Sequence, residues 1–580
     1  MNLSPEERAI GKENFNAAIG SELTRREFLE RSIAAAAVTG VGLGGFYFGY
    51  EKLKGDPVRV GMIGTGDEGG VLIGAHTPDY LNIVAISDIR PYNVHRAFHG
   101  DQSSESIRAV RPGLMAKYGW KSEDEAKSKV KVYTDYQDLL KDDQIEAVII
   151  ALPLFLHDVV AIEAMNHGKH VLTEKLMAHS VHQCKNMARV SHQKRLHLAT
   201  GHQRHYSILY DNAVDTIKRG LIGDIHFIRA QWHRGNLPGK DSWAPPLPDK
   251  KMEADLAKVV AEIESLGGDA SAEVKKFTDL LKVTKELESA RGSRIDALEK
   301  RRELLTQQLL DKDVDAAKYG YEAKTLTDGG SKAYECSPLE ELIHWRLWNR
   351  TGGGLMAELG SHQLDASGIF CTAMRNDGHK ALPLSVTAVG GRYIFPLDRD
   401  CDDHVYCTYE YPGPKYDEDP NKKIVVTYSS INGNGFGGYG ETVMGTKGTL
   451  ILDKEQEVML FKDAATTTSV LVTKGKDGAP TLDTTASGSP AAAAAKKALD
   501  AGPPSRGYTE EMEHFAWCIR NFDFENNKPK CHPKVAMADA IIALTTNIAM
   551  RENRRIEFKP EWFDIDSDET PEGVKPSVSV

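Results

Sequence analysis

The chain of 580 residues is poor in cysteine and has no surplus of basic charge. Its seven cysteines form no C-x-x-C pair and show no metal-ligand spacing, which argues against a disulfide framework and against a zinc site. Lys and Arg number 72 against 83 Asp and Glu, for a net charge of −11. With no basic excess to neutralise phosphates, no nucleic-acid partner is expected. Long uncharged runs are scarce as well: residues 32–50 form a run of 19 residues that could just span a bilayer. No internal repeat is apparent. The length is too great for one core and implies at least two domains with insertions.

That uncharged run follows Arg25 and Arg26 in the stretch SELTRREFLE, residues 21–30. Paired arginines just before Phe28, Leu29 and an uncharged run resemble a twin-arginine export signal, an address read by a receptor. Residues 1–56 are therefore read as signal or anchor plus linker, with the twin-arginine export machinery as a partner and a periplasmic or otherwise exported location. The run ends in Gly45-Phe-Tyr-Phe-Gly-Tyr50 with no small-x-small cleavage site. An uncleaved membrane anchor is the alternative to removal.

The chain is organised around residues 58–88, VRVGMIGTGDEGGVLIGAHTPDYLNIVAISD. A short apolar run leads into Gly64, Gly66 and Gly69 in G-x-G-x-x-G spacing, and a second apolar run ends at Asp88. This reads as strand, glycine turn, helix, strand. The first glycine allows the tight turn, the second lets backbone N–H groups approach a pyrophosphate, and the third lets helix and strand pack closely. Asp88 stands where a carboxylate would accept hydrogen bonds from the adenosine ribose hydroxyls. The expected cofactor is NAD, tightly held, with NADP the alternative if Arg90 pairs with a 2′-phosphate. Asp67 and Glu68 suit a helix N-terminus but add negative charge beside the pyrophosphate.

Downstream, AVIIAL at 147–152 reads as a strand buried on both faces. A helix is expected at 157–168, a short strand at 170–172, and then Glu174-Lys175 at the strand's carboxyl end, where ligands of open parallel sheets bind. Lys175 is thus the first candidate for chemistry. Residues 202–206 and 232–236 gather histidine, arginine, tyrosine, tryptophan and asparagine donors suited to sugar hydroxyls, with Trp232 or Trp243 as a stacking face. Arg204, His205, Tyr206, Trp232 and His233 are the substrate-binding candidates. Further on, Glu358, His362 and Asp365 at i, i+4 and i+7 share one helix face. A histidine suits the removal of a hydroxyl proton as hydride leaves carbon.

The combination of VGMIGTGDEG, IVAISD, AVIIALPLFLH, GKHVLTEK and GGGLMAELGSHQLD resembles the Gfo/Idh/MocA oxidoreductase family, which includes glucose-fructose oxidoreductase and inositol dehydrogenase. The resemblance covers about residues 57–560, less two insertions. It implies that Glu174-Lys175-Leu176 stands for the family's glutamate-lysine-proline motif, with Lys175 contacting nicotinamide and substrate. It also implies that Glu358-Leu-Gly-Ser-His362 stands for the aspartate-x-glycine-x-histidine motif, with His362 as base, Glu358 as its acidic partner and Asp365 in support at the substrate. Leu176 for proline and Glu358 for aspartate are departures; a cis bond before a non-proline residue costs roughly 2.5–4 kcal/mol.

The expected fold is α/β joined to α+β. Residues 57–176 form a Rossmann dinucleotide-binding domain, 177–560 form a substrate and oligomerisation domain with a largely antiparallel sheet, and 561–580 form a tail. Within the second domain, 249–328 reads as an amphipathic helical insertion, either a lid or an oligomerisation element, and 464–506 as a low-complexity loop. The expected activity is hydride transfer from a secondary alcohol of a sugar, glycoside or cyclitol to a nicotinamide cofactor, in a homo-oligomer. The alternatives are a glycosidase, lyase or epimerase that oxidises a sugar transiently, and a non-catalytic carbohydrate-binding protein. Net keto product with reduced cofactor separates the first reading from the second.

Overall fold

The computed structural model describes residues 3–20, 43–267, 281–330, 332–375, 377–475, 478–484 and 506–580. Arg25 and Arg26, with the export signal expected around them, lie outside the described residues.

Six strands make a wholly parallel sheet: β1 (Val58–Ile63), β2 (Leu81–Ser87), β3 (Lys131–Tyr133), β4 (Ala147–Ile150), β5 (His170–Glu174) and β6 (Leu198–Gly201). Their spatial order is β3-β2-β1-β4-β5-β6. All four residues of β4 are buried, as its unbroken apolar sequence demands of a strand covered on both faces. From β1 the chain builds outward through β2 to β3 and then crosses back to β4 on the other side of β1, and this reversal opens a crevice at the strands' carboxyl ends. Gly64, Asp88 and Glu174 stand there. The sheet runs past residue 176, because β6 pairs with β5 from Val171–Leu198 to Glu174–Gly201.

The second sheet holds β7 (Ile225–His233), β10 (Ser385–Gly391), β11 (His404–Pro412), β12 (Lys423–Ile431), β13 (Tyr439–Gly445), β14 (Gly448–Asp453), β15 (Glu457–Lys462) and the two-residue β18 (Ile556–Glu557). Only β7 and β12 pair in parallel; the other neighbours are antiparallel. Burial alternates along β12, with Ile424, Val426 and Tyr428 inward, and the helices Ser361–Arg375 and Pro533–Glu552 belong to the same apolar core. Alternation of this kind is what a sheet with one covered face requires.

Two small hairpins complete the strands: β8 (Lys324–Thr327) with β9 (Ala333–Cys336), and β16 (Leu471–Lys474) with β17 (Pro480–Asp483). The second of these falls inside the stretch read as a low-complexity loop. Thr and Val in Leu471–Lys474 give it β-forming residues that composition over 464–506 conceals; residues 476–477 and 485–505 of that stretch lie outside the described part.

The chain termini are built into the body. Ser4 and Glu7 form a capping box for the helix Pro5–Ile19. This helix packs on β15, where Asn14 Nδ2 donates to the carbonyls of Leu460 and Thr468, each at 3.0 Å, and Arg8 pairs with Asp453 at 2.6 Å. The end of the uncharged run is a short helix, Leu43–Phe48, whose Phe48 ring meets Tyr206 edge-on at 5.5 Å. Tyr50 is buried nearby and donates to Glu513 at 2.7 Å. Among the described residues no helix is long and apolar enough to cross a membrane. At the other end, Lys185 Nζ donates to the carbonyls of Glu561, Ser567 and Glu569 at 2.7–2.9 Å, and Arg189 takes Ile565, Ser567 and Val578.

The insertion folds as the helices Lys250–Gly267 and Leu281–Gln308, linked across by Arg294 and Glu262. The turns that follow, Leu309–Asp313 and Ala316–Tyr319, lead back to the crevice. They decide what the insertion does, as described next.

Candidate active site

A single cavity of about 1050 Å³ runs from the glycine turn to the second sheet. At one end stand Gly64, Gly66, Asp88 and Arg90, and at the other Lys175, Trp232, Glu358 and His362. Gly64 has φ of +88°, and a Cβ there would lie 2.3 Å from the Ala151 carbonyl oxygen. A Cβ on Gly69 would lie 2.3 Å from the Gly64 carbonyl oxygen, so that glycine permits the close packing of turn and helix. A Cβ on Gly66 would meet nothing nearer than Asn93 at 3.6 Å. Its space is part of the cavity, as a pyrophosphate cradle requires. The residues therefore fit a dinucleotide, held by the Gly64–Gly66 backbone, the N-terminus of the helix Asp67–Ala75 and Asp88.

Asp88 accepts from the backbone N–H of Thr65 and of Arg90, each at 2.8 Å, and from Asn93 at 3.1 Å. Burial raises its carboxyl above the ordinary range against those donors. Arg90 does not face the ribose as a free cation: its Nε donates to Asp311 at 2.8 Å, and Asp311 also accepts from the Tyr92 N–H at 3.0 Å. Asp311 belongs to the insertion, in the turn after its helix Leu281–Gln308. The insertion thus closes the adenosine end of the cavity, with Lys318, Tyr319 and Tyr321 alongside. The negative charge of Asp67 is also answered. Burial would raise its carboxyl, but Arg96, Arg111 and Arg346 outweigh it and hold the group well below the usual range. Arg96 and Arg111 lie 2.9 and 3.2 Å from it.

At the other end, the Lys175–Leu176 peptide is cis although residue 176 is not proline. Lys175 Nζ donates to the backbone carbonyl of Glu358 at 2.9 Å. The Glu358 carboxylate is engaged elsewhere, by Arg346 Nε at 2.9 Å. Burial pushes the Glu358 carboxyl up, and Lys175, Arg346 and Arg234 together bring it below its ordinary value. Glu358 sits in the π-helical turn Met356–Gly360 ahead of the helix Ser361–Arg375, a wider turn than the sequence spacing assumes. His362 lies in the cavity wall with its ring 5.5 Å from that of Trp232. Burial, then the charge of Lys175, drive its pKa well below the ordinary histidine value, so the ring is neutral. Behind Lys175, burial and the nearby Glu68 raise Glu174 to about 8.

Among the candidate substrate residues, Trp232 lines the cavity; Arg204, His205, Tyr206, His233 and Asp365 do not. Arg204 is buried against Glu455, with Nε at 2.8 Å, and lies 3.4 Å from Glu441. Tyr206 donates or accepts at His514 and receives the Lys530 N–H. His233 contacts Ser429 and the Phe436 carbonyl. Asp365 lies 2.8 Å from His205 Nε2, and its charge acts on His362 by partly offsetting the lowering of that ring. These polar side chains meet partners inside the protein, which a sequence cannot distinguish from donors presented to a ligand. One buried cluster, His202, Asp365 and Asp539, has potential ligand atoms within 4.8 Å of one another, and Lys380 supplies its cation at 2.5 Å from Asp539.

Arg346 was given no role by sequence reading, although it holds Glu358 and borders the cavity. Its only signal is position, between two tryptophans and just before the three glycines at 352–354. Tyr508 and Arg506 reach the cavity from the far end of the chain and carried no signal at all.

Residues 58–202 match a family described as "Oxidoreductase family, NAD-binding Rossmann fold", Gfo/Idh/MocA. A Schizosaccharomyces pombe oxidoreductase described as uncharacterized is 33% identical over 128 residues, 22% of this chain and 35% of that protein. A glycosyl hydrolase family 109 protein of Shewanella baltica is 26% identical over 176 residues, 30% of this chain and 34% of the other. The chain thus spans about a third of the length of these curated relatives. Levoglucosan dehydrogenase, solved with NADH and L-sorbose, is 14% identical with a TM-score of 0.49, over 87% of this chain and all of the other. By sequence match and by strand order together, residues 58–202 resemble the NAD-binding Rossmann domain of the Gfo/Idh/MocA oxidoreductase family.

Proposed function

We propose that the protein is an NAD-dependent oxidoreductase acting on a secondary alcohol of a sugar or cyclitol. The observation that carries this reading is the shared cavity, in which Lys175 and His362 lie beyond the nucleotide-binding glycines, beside a tryptophan face. When bound, NAD supplies the acceptor for the hydride that leaves the alcohol carbon. His362, neutral and facing the cavity, takes the hydroxyl proton, so that the carbon–oxygen bond becomes a carbonyl. Lys175, held by the Glu358 carbonyl, polarises that oxygen. Trp232, stacked on Tyr439 at 4.3 Å, offers a rigid apolar face to a sugar ring.

A second reading has one observation in its favour, the match to glycosyl hydrolase family 109 proteins. In that case the hydride returns to the same molecule after elimination. Absorbance at the NADH band with sugars and cyclitols, followed by product analysis, tests both: accumulated ketone and NADH mark net oxidation, whereas product without either marks a closed cycle. No reduction and no product with any of them would overturn both.

Export by the twin-arginine route, with the nucleotide carried inside, belongs to the same proposal. An exported enzyme has no ready NAD pool and must hold its cofactor, and nanomolar affinity corresponds to about −12.3 kcal/mol. The closure of the adenosine end by Asp311 supports such retention. Cell fractionation and mass analysis of nucleotide released on denaturation are the tests; a cytoplasmic protein that purifies without nucleotide would refute it.

A further inference from the structure

Arg234 is a cation of the cavity wall that forms no ion pair among the described residues. It follows β7, and its backbone N–H donates to the Ile431 carbonyl at 2.8 Å, so the main chain is fixed at the sheet. The side chain lines the cavity. Its guanidinium lies 5.8 Å from the Trp232 ring centre and 5.3 Å from that of Trp243. The Nε is buried and has no hydrogen-bond partner. Among the described residues no carboxylate stands in ion-pair distance of it, and the two nearest acids are taken: Glu358 by Arg346 at 2.9 Å, and Asp241 by Arg399 at 2.6 Å.

The nearby acids leave the Arg234 guanidinium without an ion pair: Glu358 is held by Arg346, and Asp241 shares Arg399 with Asp398. Glu174 adds no full negative charge at neutral pH, since burial and Glu68 raise it to about 8. At the glycine turn Arg96 and Arg111 are matched by Asp67 and Asp101. A half-buried guanidinium whose buried Nε has no partner is costly, and burial together with Arg346 lowers the affinity of Arg234 for its own proton. A planar fork of donors beside a sugar-stacking face suits a carboxylate, which it can hold bidentately. A single guanidinium without an ion pair matches a monoanion better than a phosphate dianion.

We propose that Arg234 receives a carboxylate of the substrate, and that the alcohol oxidised belongs to a sugar acid, uronic or aldonic, rather than to a neutral sugar. This rests on the oxidoreductase reading above. The test uses the full-length protein as purified, with added NAD, and pairs each acid with its neutral parent: glucuronate and gluconate with glucose, galacturonate and galactonate with galactose, and glucose 6-phosphate as the dianion. Binding is read from tryptophan fluorescence and chemistry from NADH absorbance. At least one acid binds tenfold or more tightly than its parent and is reduced to that parent's level in Arg234→Gln, while Arg234→Lys recovers part of the advantage. NAD binding by each variant reports that it is folded. Equal binding of acids and parents, tighter binding of the phosphate, or an acid preference that survives in Arg234→Gln would each overturn the proposal. If neutral sugars alone produce NADH, the inference fails and the oxidoreductase reading stands; if acids bind through Arg234 and none is oxidised, the carboxylate site stands while the oxidation of a sugar acid fails together with that reading.

Discussion

Arg90 Nε and Asp311 Oδ2 lie 2.8 Å apart although 221 positions separate them in the chain. The pair joins the end of β2 to the turn after the insertion's helix Leu281–Gln308. It takes the one arginine placed to accept a 2′-phosphate and commits it to a buried carboxylate, 1% exposed. NAD is therefore the better fit beside Asp88.

Asp311→Ala should release Arg90 and narrow the preference for NAD over NADP by about tenfold, which is about 1.4 kcal/mol. Dissociation constants for both nucleotides measure it. An unchanged ratio in a folded variant would show that Arg90 does not control the ribose end.

The glycines separate binding from folding. Gly66→Val should abolish nucleotide binding with little loss of stability, because its side chain would fill cavity space. Gly69→Ala should instead destabilise, since its Cβ would strike the Gly64 carbonyl. Thermal melts and NAD titration of the two variants make the comparison, and a Gly66→Val protein with parental NAD affinity would refute the cradle.

Lys175→Ala and His362→Ala should each lower turnover roughly a hundredfold or more, with nucleotide binding retained in the His362 variant. Glu358→Gln should cost less than Lys175→Ala, because Lys175 is held by a main-chain carbonyl that this change leaves in place. Since the charge of Lys175 helps lower His362, Lys175→Met should move the acid limb of residual activity to higher pH. A limb that stays put would remove His362 as the titrating base.

Glu174 titrates near 8 in the folded protein against an ordinary value of 4.5, burial being the main cause and Glu68 the next. A carboxyl raised on folding contributes stability that is fully present below pH 4.5 and lost as pH rises to about 8. Glu174→Gln should flatten that fall, so that the variant gains on the parent above pH 8 and not below pH 4.5. Denaturant midpoints across this range are the measurement, and parallel curves would refute the shift.

The sequence by itself determined the elements whose signal is local. The glycine spacing, the apolar runs of β1, β2 and β4 and the acid at Asp88 lie within about a hundred residues, and each is a backbone or burial requirement written into neighbouring residue types. The alternation of β11 and β12 was legible for the same reason. Tertiary structure alone decided which polar side chains face the cavity. Arg204, His205, Tyr206, His233 and Asp365 carry the donors of a binding site, yet meet partners from distant segments, such as Glu455 and His514, and become interior. Arg234 and Arg346 carry no stronger local signal and remain at the cavity wall. A polar side chain is satisfied by whatever the fold brings within about 3 Å of it, and that pairing is a property of long-range contacts rather than of spacing along the chain.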